Sequence, residues 1–345
     1  MFVNLAAGAL SFPTTTSPTV NLAGRVALLR AAVMRLKQYR DERIVASPST
    51  RWDGAGGRPS LVLVAPEYMF VREGFQLAAA RDLKRNRFLE KSDKDAVVAE
   101  LQRISAEFGK QLVLVPGSIA SREALPAPGA DRDERVQRAA QHIMTAALSM
   151  ESFFPGRTEE ELMEVATAGK LAGRTAMTPL DKFKKLSSAL NTQKSTYYLA
   201  DNVAYLLTNG KIVARYAKKG DFHERLPGAS ARTIYVPGIA AGRVTVGGIN
   251  FGVEICLDHG LGALKNTQTV TGDLPRVHLL CSAEVNPQTA NFTVREGGYF
   301  VHASSNLGYT VIQRKRGANL EAPGDAADAT VSGHTMRMGV IELDI

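Results

Sequence analysis

The sequence predicts an α/β fold built on a buried sheet, from three observations. Short apolar runs rich in Val, Leu and Ile alternate with longer segments of helical period. Several of these runs end abruptly in Pro, Gly or a charged residue, as buried strands do where they meet a loop. The chain has 345 residues, 45% hydrophobic and 22% charged, which is globular in composition and long enough for a large core.

The elements follow in order. Phe2 to Leu5 is a short apolar strand. Asn21 to Tyr39 is a helix, with Leu22, Val26, Leu29, Val33 and Leu36 on one face. Ser47 to Pro59 is rich in Gly, Ser and Pro and reads as a loop. Leu61-Val62-Leu63-Val64-Ala65 is a buried strand ending at Pro66-Glu67. Ser92-Asp93-Lys94-Asp95 reads as a capping box opening a helix with Val97, Leu101, Ile104 and Phe108 on one face, closed by Gly109. Leu112 to Val115 is a second buried strand. Further strands are expected at Asn202 to Leu207, Ile212 to Tyr216, Arg243 to Ile255, Val277 to Cys281, Tyr299 to Ser304 and Met338 to Leu343. From about Ser121 to Lys194 no strand is expected. Arg135 to Met150, Thr158 to Ala168 and Pro179 to Leu190 read as helices of an insertion within a single domain spanning 1–345.

Charge and cysteine usage narrow the class. The formal net charge is +8, with clusters at Arg81-Lys84-Arg85-Arg87 and Arg314-Lys315-Arg316. They read as solvated faces, since no nucleic-acid motif accompanies them. Two cysteines argue against a disulfide scaffold and for a reducing compartment. No apolar run approaches the roughly 20 residues of a membrane span, and Met1 to Phe12 lacks Lys and Arg, so a cytoplasmic protein is expected. The six histidines show no metal-ligand spacing, and no metal or cofactor is expected.

The chemistry centres on Cys256. The long run Val244 to Ile255 ends in this cysteine and breaks at once into Leu257-Asp258-His259-Gly260. A thiol at a strand end is accessible to a substrate, whereas Cys281 lies inside an apolar run. A free thiol is mostly protonated at neutral pH, so it needs a base or a nearby cation. Glu67 follows a buried strand and faces a cleft rather than a core. Lys218 and Lys219 follow the strand ending at Tyr216.

Leu63-Val64-Ala65-Pro66-Glu67, Asn209 to Lys218 and Gly252-Val253-Glu254-Ile255-Cys256-Leu257-Asp258, in that order, resemble the nitrilase superfamily of carbon–nitrogen hydrolases. Arg295-Glu296 followed by Tyr299 to Asn306 is similar to the family's late helix and strand, and Asn202 to Leu207 to the strand before its lysine hairpin. The resemblance implies an α-β-β-α sandwich, with Glu67 as general base, Lys218 as the catalytic lysine and Cys256 as nucleophile. Lys219 is the rival for the lysine, and Glu224 matches a second glutamate. The backbone N–H of Leu257 would be a further oxyanion donor. The implied reaction is hydrolysis of an amide or carbamoyl substrate, less readily a nitrile, through a thioester, by a homodimer or higher homo-oligomer. The alternatives are a degenerate member that binds without turning over, and a cysteine hydrolase with His259 or His302 as base. His259-Gly260-Leu261-Gly262 departs from the Arg and Pro-Glu of relatives at a loop that borders their pocket. The helical insertion is expected to cap the site.

Overall fold

In the computed structural model, residues 2–13, 20–46, 52, 57–72, 88–156, 179–191, 196–219, 232–267 and 274–344 are described. The first half of the chain runs β1 (Phe2–Leu10), α1 (Leu22–Ala46), β2 (Leu61–Val64), β3 (Leu89–Glu90), α2 (Lys91–Phe108), β4 (Leu112–Val115), β5 (Ser118–Ala124) and α3 (Ala130–Phe153). Then come α4 (Pro179–Asn191), β6 (Tyr198–Thr208), β7 (Lys211–Ala217), β8 (Thr233–Tyr235), β9 (Arg243–Val246), β10 (Ile249–Ile255), α5 (Leu257–Gly260) and α6 (Ala263–Asn266). The chain finishes with β11 (Val277–Ser282), β12 (Tyr299–Ser304), β13 (Val311–Arg316), β14 (Asn319–Glu321), β15 (Ala327–Val331) and β16 (His334–Asp344).

The strands form two sheets. Sheet one runs β15-β16-β1-β2-β4-β6-β5-β3, with β7 and β8 also paired to β6. Sheet two runs β14-β13-β12-β11-β10-β9. The period-two alternation of the strands sorts their side chains onto two faces. Val3, Leu5, Val62, Val64, Val113 and Val115 of sheet one meet Phe251, Val253, Ile255, Leu279 and Val301 of sheet two in one buried cluster between the sheets. The other face of sheet one, with Leu61, Leu63, Leu112 and Leu114, packs under Leu29, Val33 and Leu36 of α1 and Leu101 and Ile104 of α2. The outer face of sheet two is covered by the one-turn helices α5 and α6 and by a 3-10 turn at Thr289–Asn291. The result is the α-β-β-α order, with a thin fourth layer among the described residues.

Several elements differ from the sequence reading. Ser118–Ala124 is a strand in register with β6 (Ser118 opposite Ala204, Ala124 opposite Tyr198), so the insertion starts after Ala124. Within it, α3 and α4 correspond to two expected helices; the segment from Thr158 to Ala168 lies outside the described residues. The run from Arg243 to Ile255 is a hairpin, because Gly247 and Gly248 turn at φ 57° and 80°. The capping box does not form: α2 begins at Lys91, one residue before Ser92, and its N-cap Glu90 makes no side-chain cap bond. Residues 292–298 form no helix at Arg295-Glu296. Among the described residues no helix is long and apolar enough to cross a membrane.

Candidate active site

Glu67, Lys218 and Cys256 converge where the two sheets meet. Glu67 sits in the turn after β2. Its backbone N–H donates to Ser282 O at the end of β11, 3.2 Å away, so a residue of sheet one is bonded directly to sheet two. The turn is tight. Tyr68 takes φ 58°, and Gly117 after β4 packs against it at φ 84°, where a Cβ would lie 2.1 Å from Pro66 O. Arg25 of α1, itself buried, donates from Nη1 to Tyr68 O at 3.3 Å and Met69 O at 2.8 Å and holds the turn from behind.

The Glu67 carboxylate is fully buried and well supplied with donors. Its Oε1 accepts from Lys218 Nζ at 2.7 Å and from Asn202 Nδ2 at 3.0 Å. Its Oε2 accepts from the Ala283 N–H at 3.3 Å. Lys218 is equally buried, and its backbone N–H donates to Asn202 O at 2.9 Å, so Asn202 of β6 holds both partners of the ion pair.

Cys256 occupies a sharp strand-to-helix elbow. It ends β10 and precedes α5 at φ 49°, ψ −112°, a strained conformation for a residue with a Cβ. Its N–H donates to Cys281 O at 2.8 Å, and its carbonyl accepts from His259 N–H at 3.0 Å. The thiol lies close enough to Glu67 and the Ala283 N–H for both to act on its pKa. Burial pushes the thiol well above its ordinary pKa, the Glu67 charge adds to this, and Lys218 opposes it in part. The resting state is therefore a protonated thiol beside a carboxylate, not a stored thiolate. Leu257 opens α5, and the first N–H groups of a helix have no partner within it.

A buried hydrogen-bond pair links the elbow to the lysine segment. Asp258 Oδ2 accepts the Tyr216 hydroxyl at 2.7 Å and the Lys219 N–H at 2.9 Å. Burial raises the Asp258 carboxyl to about 7 against these two bonds, which lower it. Lys219 turns away from Glu67. Its Nζ donates to Ala240 O and lies 4.2 Å from the Phe153 ring and 4.8 Å from that of Tyr216. Burial brings it down to about 8, with the Asp258 and Glu254 charges opposing. Of the two lysines, it is Lys218 that meets the carboxylate.

No family model and no curated protein matches this sequence. Among solved structures, that of Saccharomyces cerevisiae Nit3, a member of branch 10 of the nitrilase superfamily, is 14% identical with a TM-score of 0.44. The match covers 98% of this chain and 90% of that one. A mutant of the Nesterenkonia AN1 amidase from the nitrilase superfamily is 12% identical with a TM-score of 0.46, over 98% and 90% of the two chains. The glutamine-dependent NAD(+) synthetase of Cytophaga hutchinsonii is 11% identical with a TM-score of 0.37 and matches all of this chain over 43% of its own length.

At these identities and TM-scores, the fold and the chemistry of the site rest on the geometry of this chain alone. His259 faces away from the inter-sheet site and is fully buried on the outer face of sheet two, so it does not border a pocket there. Its Nδ1 lies 3.0 Å from Glu254 Oε2, and His278 Nε2 lies 2.9 Å from the same oxygen. Glu254 Oε1 accepts the Leu264 N–H at 2.5 Å. Burial pushes Glu254 up, but the two imidazole contacts outweigh it and hold the carboxyl at about 2.

These three groups are close enough to suggest a metal site. Their outer partners argue against one. His259 Nε2 accepts the Gln288 N–H at 3.2 Å, and His278 Nδ1 accepts the Thr293 N–H at 3.3 Å. Each ring thus carries its proton on the nitrogen facing Glu254, where a cation would need a lone pair. His302 meets Ser282 Oγ at 2.6 Å, and burial pushes its pKa well down. The groups that act on the Cys256 thiol are Glu67, Lys218 and the Ala283 N–H, and no histidine is among them. Glu224 lies outside the described residues.

The insertion reaches the edge of the site. Besides Phe153 over Lys219, the Phe153 carbonyl accepts Asn266 Nδ2 at 2.5 Å, and His142 Nε2 lies 2.6 Å from Pro237 O. Asn202, Asp258 and Tyr216 are the site groups to which sequence reasoning assigned no role. A polar side chain inside an otherwise apolar strand, as Asn202 is, was the available signal.

Proposed function

We propose that this protein is a thiol-dependent hydrolase of a non-peptide carbon–nitrogen bond, acting on a small amide or carbamoyl substrate. The observation that carries this is the buried Glu67 carboxylate, bonded to the Lys218 ammonium and near enough to the Cys256 thiol for its charge to act on it. Because the thiol is protonated at rest, its proton passes to Glu67 as sulfur attacks the carbonyl carbon. The new oxyanion faces the Lys218 ammonium and the Leu257 N–H. Glu67 then returns the proton to the leaving nitrogen. The carbon–nitrogen bond breaks, ammonia or an amine departs, and a Cys256 thioester remains. Water gives a proton to Glu67 and attacks the thioester, the acid leaves, and the proton returns to sulfur. The same reading extends to a homo-oligomer, which sedimentation analysis would test.

Ammonia release across amides, carbamoyl amino acids, nitriles and glutamine tests the proposal. Turnover of at least one amide or carbamoyl compound is expected, abolished in Cys256→Ala and reduced by about a hundredfold or more in Lys218→Ala, as for loss of an oxyanion donor. Turnover that survives Cys256→Ala would refute it, as would a silent panel with folded protein.

A further inference from the structure

Cys256 and Lys218 come from different sheets. Cys256 ends β10 of sheet two, and Lys218 follows β7, which hangs from sheet one. The backbone bonds of Lys218 tie it to its own side: its N–H to Asn202 O, and its carbonyl to the Gly238 N–H at 2.9 Å. Those bonds set no distance to the elbow.

Asp258 does. It lies one residue after the Leu257 N–H and two after the thiol. Its Oδ2 grips the lysine segment on both sides of Lys218, through the Tyr216 hydroxyl at 2.7 Å and the Lys219 N–H at 2.9 Å. Asp258 is completely buried and Tyr216 nearly so, which protects both bonds from competing water. We propose that Asp258 is a positioning residue that ties the lysine segment to the nucleophile elbow and so sets the Lys218 ammonium against the oxyanion formed at Cys256.

The inference rests on the hydrolase reading for what Lys218 does there. It predicts that losing Asp258 harms oxyanion stabilisation far more than proton removal from the thiol, because Glu67 is not held through Asp258 and Lys218 acts on the thiol only by its charge. Two measurements on Cys256 separate these and need no known substrate. Alkylation by iodoacetamide reads proton removal alone. Protection from alkylation by propionaldehyde, which adds reversibly to the thiol as a thiohemiacetal, reads oxyanion stabilisation.

Asp258→Ala should weaken aldehyde protection by about tenfold or more, in line with the weight of one oxyanion contact, and leave alkylation within about threefold. Asp258→Asn keeps an acceptor oxygen and should recover most of the loss. Tyr216→Phe removes one of the two bonds and should fall between, and it serves where Asp258→Ala does not fold. Lys218→Ala is the reference. If Lys218→Ala weakens protection and neither Asp258→Ala nor Tyr216→Phe does, the tether is wrong and the hydrolase reading stands. If Lys218→Ala has no effect, the hydrolase reading itself fails and takes the tether with it. Equal loss of alkylation and protection in every folded Asp258 variant would mark a general structural role and overturn the inference.

Discussion

Removing either partner of the Glu67–Lys218 pair should cost more stability than removing both. The charges are 2.7 Å apart and each side chain is 1% exposed. At an effective dielectric of about 20, two unit charges at this 2.7 Å separation attract by about 6 kcal/mol. Most of that offsets the loss of hydration, so the pair itself adds little net stability. Glu67→Gln leaves a buried ammonium without its charge partner, and Lys218→Met leaves a buried carboxylate with only Asn202 and the Ala283 N–H. Each single change should cost about 3–5 kcal/mol. Glu67→Gln with Lys218→Met removes both charges and keeps volume, so it should lose no more than about 2 kcal/mol, a coupling of at least about 4 kcal/mol. Urea unfolding at pH 7 measures all four proteins, with equal m-values as the check that the same transition is compared. The double variant should refold well and show no hydrolysis, which separates stability from chemistry. Additive losses, with coupling below about 1 kcal/mol, would refute the buried pairing of these two charges.

Gly117→Ala should lose about 2–4 kcal/mol in urea unfolding and slow Cys256 alkylation, because φ 84° and a Cβ 2.1 Å from Pro66 O force the Glu67 turn to move; near-wild-type values for both would contradict the tight turn. The folded Glu254 carboxyl lies at about 2 against an ordinary 4.5, so it contributes about 3 kcal/mol that is present above pH 4.5 and lost as pH falls through 2. Burial also depresses His278 and His302, whose contributions are present above their ordinary 6.5 and fade below it, in the same direction. The stability gap between wild type and Glu254→Gln should therefore narrow on acidification, and a gap constant from pH 7 to pH 3 would refute the assignment. The thiol of Cys256 is held well above its ordinary range, with Lys218 opposing the rise. Its alkylation rate should climb through pH 9 without a plateau and climb later still in Lys218→Met; a plateau below pH 8 would show a thiolate at rest.

What could be read from the sequence was whatever local pattern dictates. β2 and β4 are continuous apolar runs, and β11 and β12 are mostly apolar runs each broken by one buried histidine; all four are buried throughout, so composition marks them. Glu67, Lys218 and Cys256 each follow a strand that ends sharply, and it was the resemblance of their motifs to the nitrilase pattern that singled them out. β5 was not, because Ser-Ile-Ala-Ser-Arg-Glu-Ala is specified by its pairing with β6 rather than by its own residues. The half-exposed strands β13, β14 and β15, at or next to a sheet edge, escaped similarly. Gly247-Gly248 split a run that looks continuous in apolar content, since a glycine pair in a strand pattern can mark either a turn or a bulge. The inward roles of Asn202, Asp258 and His259 depend on partners 39 to 135 residues away or on which face of a strand they take, and single-chain spacing carries neither.

The supports around Cys256 follow from the state of its thiol. A cysteine stored as thiolate tolerates a loose neighbourhood, since its charge is already made. A buried, protonated one reacts only if the base lies in line as sulfur attacks, so geometry must do what ionisation does elsewhere. That geometry is strained: φ 49° at a non-glycine residue costs on the order of 1–3 kcal/mol. The segment opposes the strain from two directions by its own alternation. Val253 and Ile255 anchor it in the core between the sheets. Glu254, turned to the other face, accepts from His259 and from the Leu264 N–H, and such bonds to a charged group are worth about 1.5–3 kcal/mol each. Asp258 then fixes the elbow to the lysine segment. Glu254 and His259 therefore hold the elbow from beneath and leave the face toward Glu67 untouched.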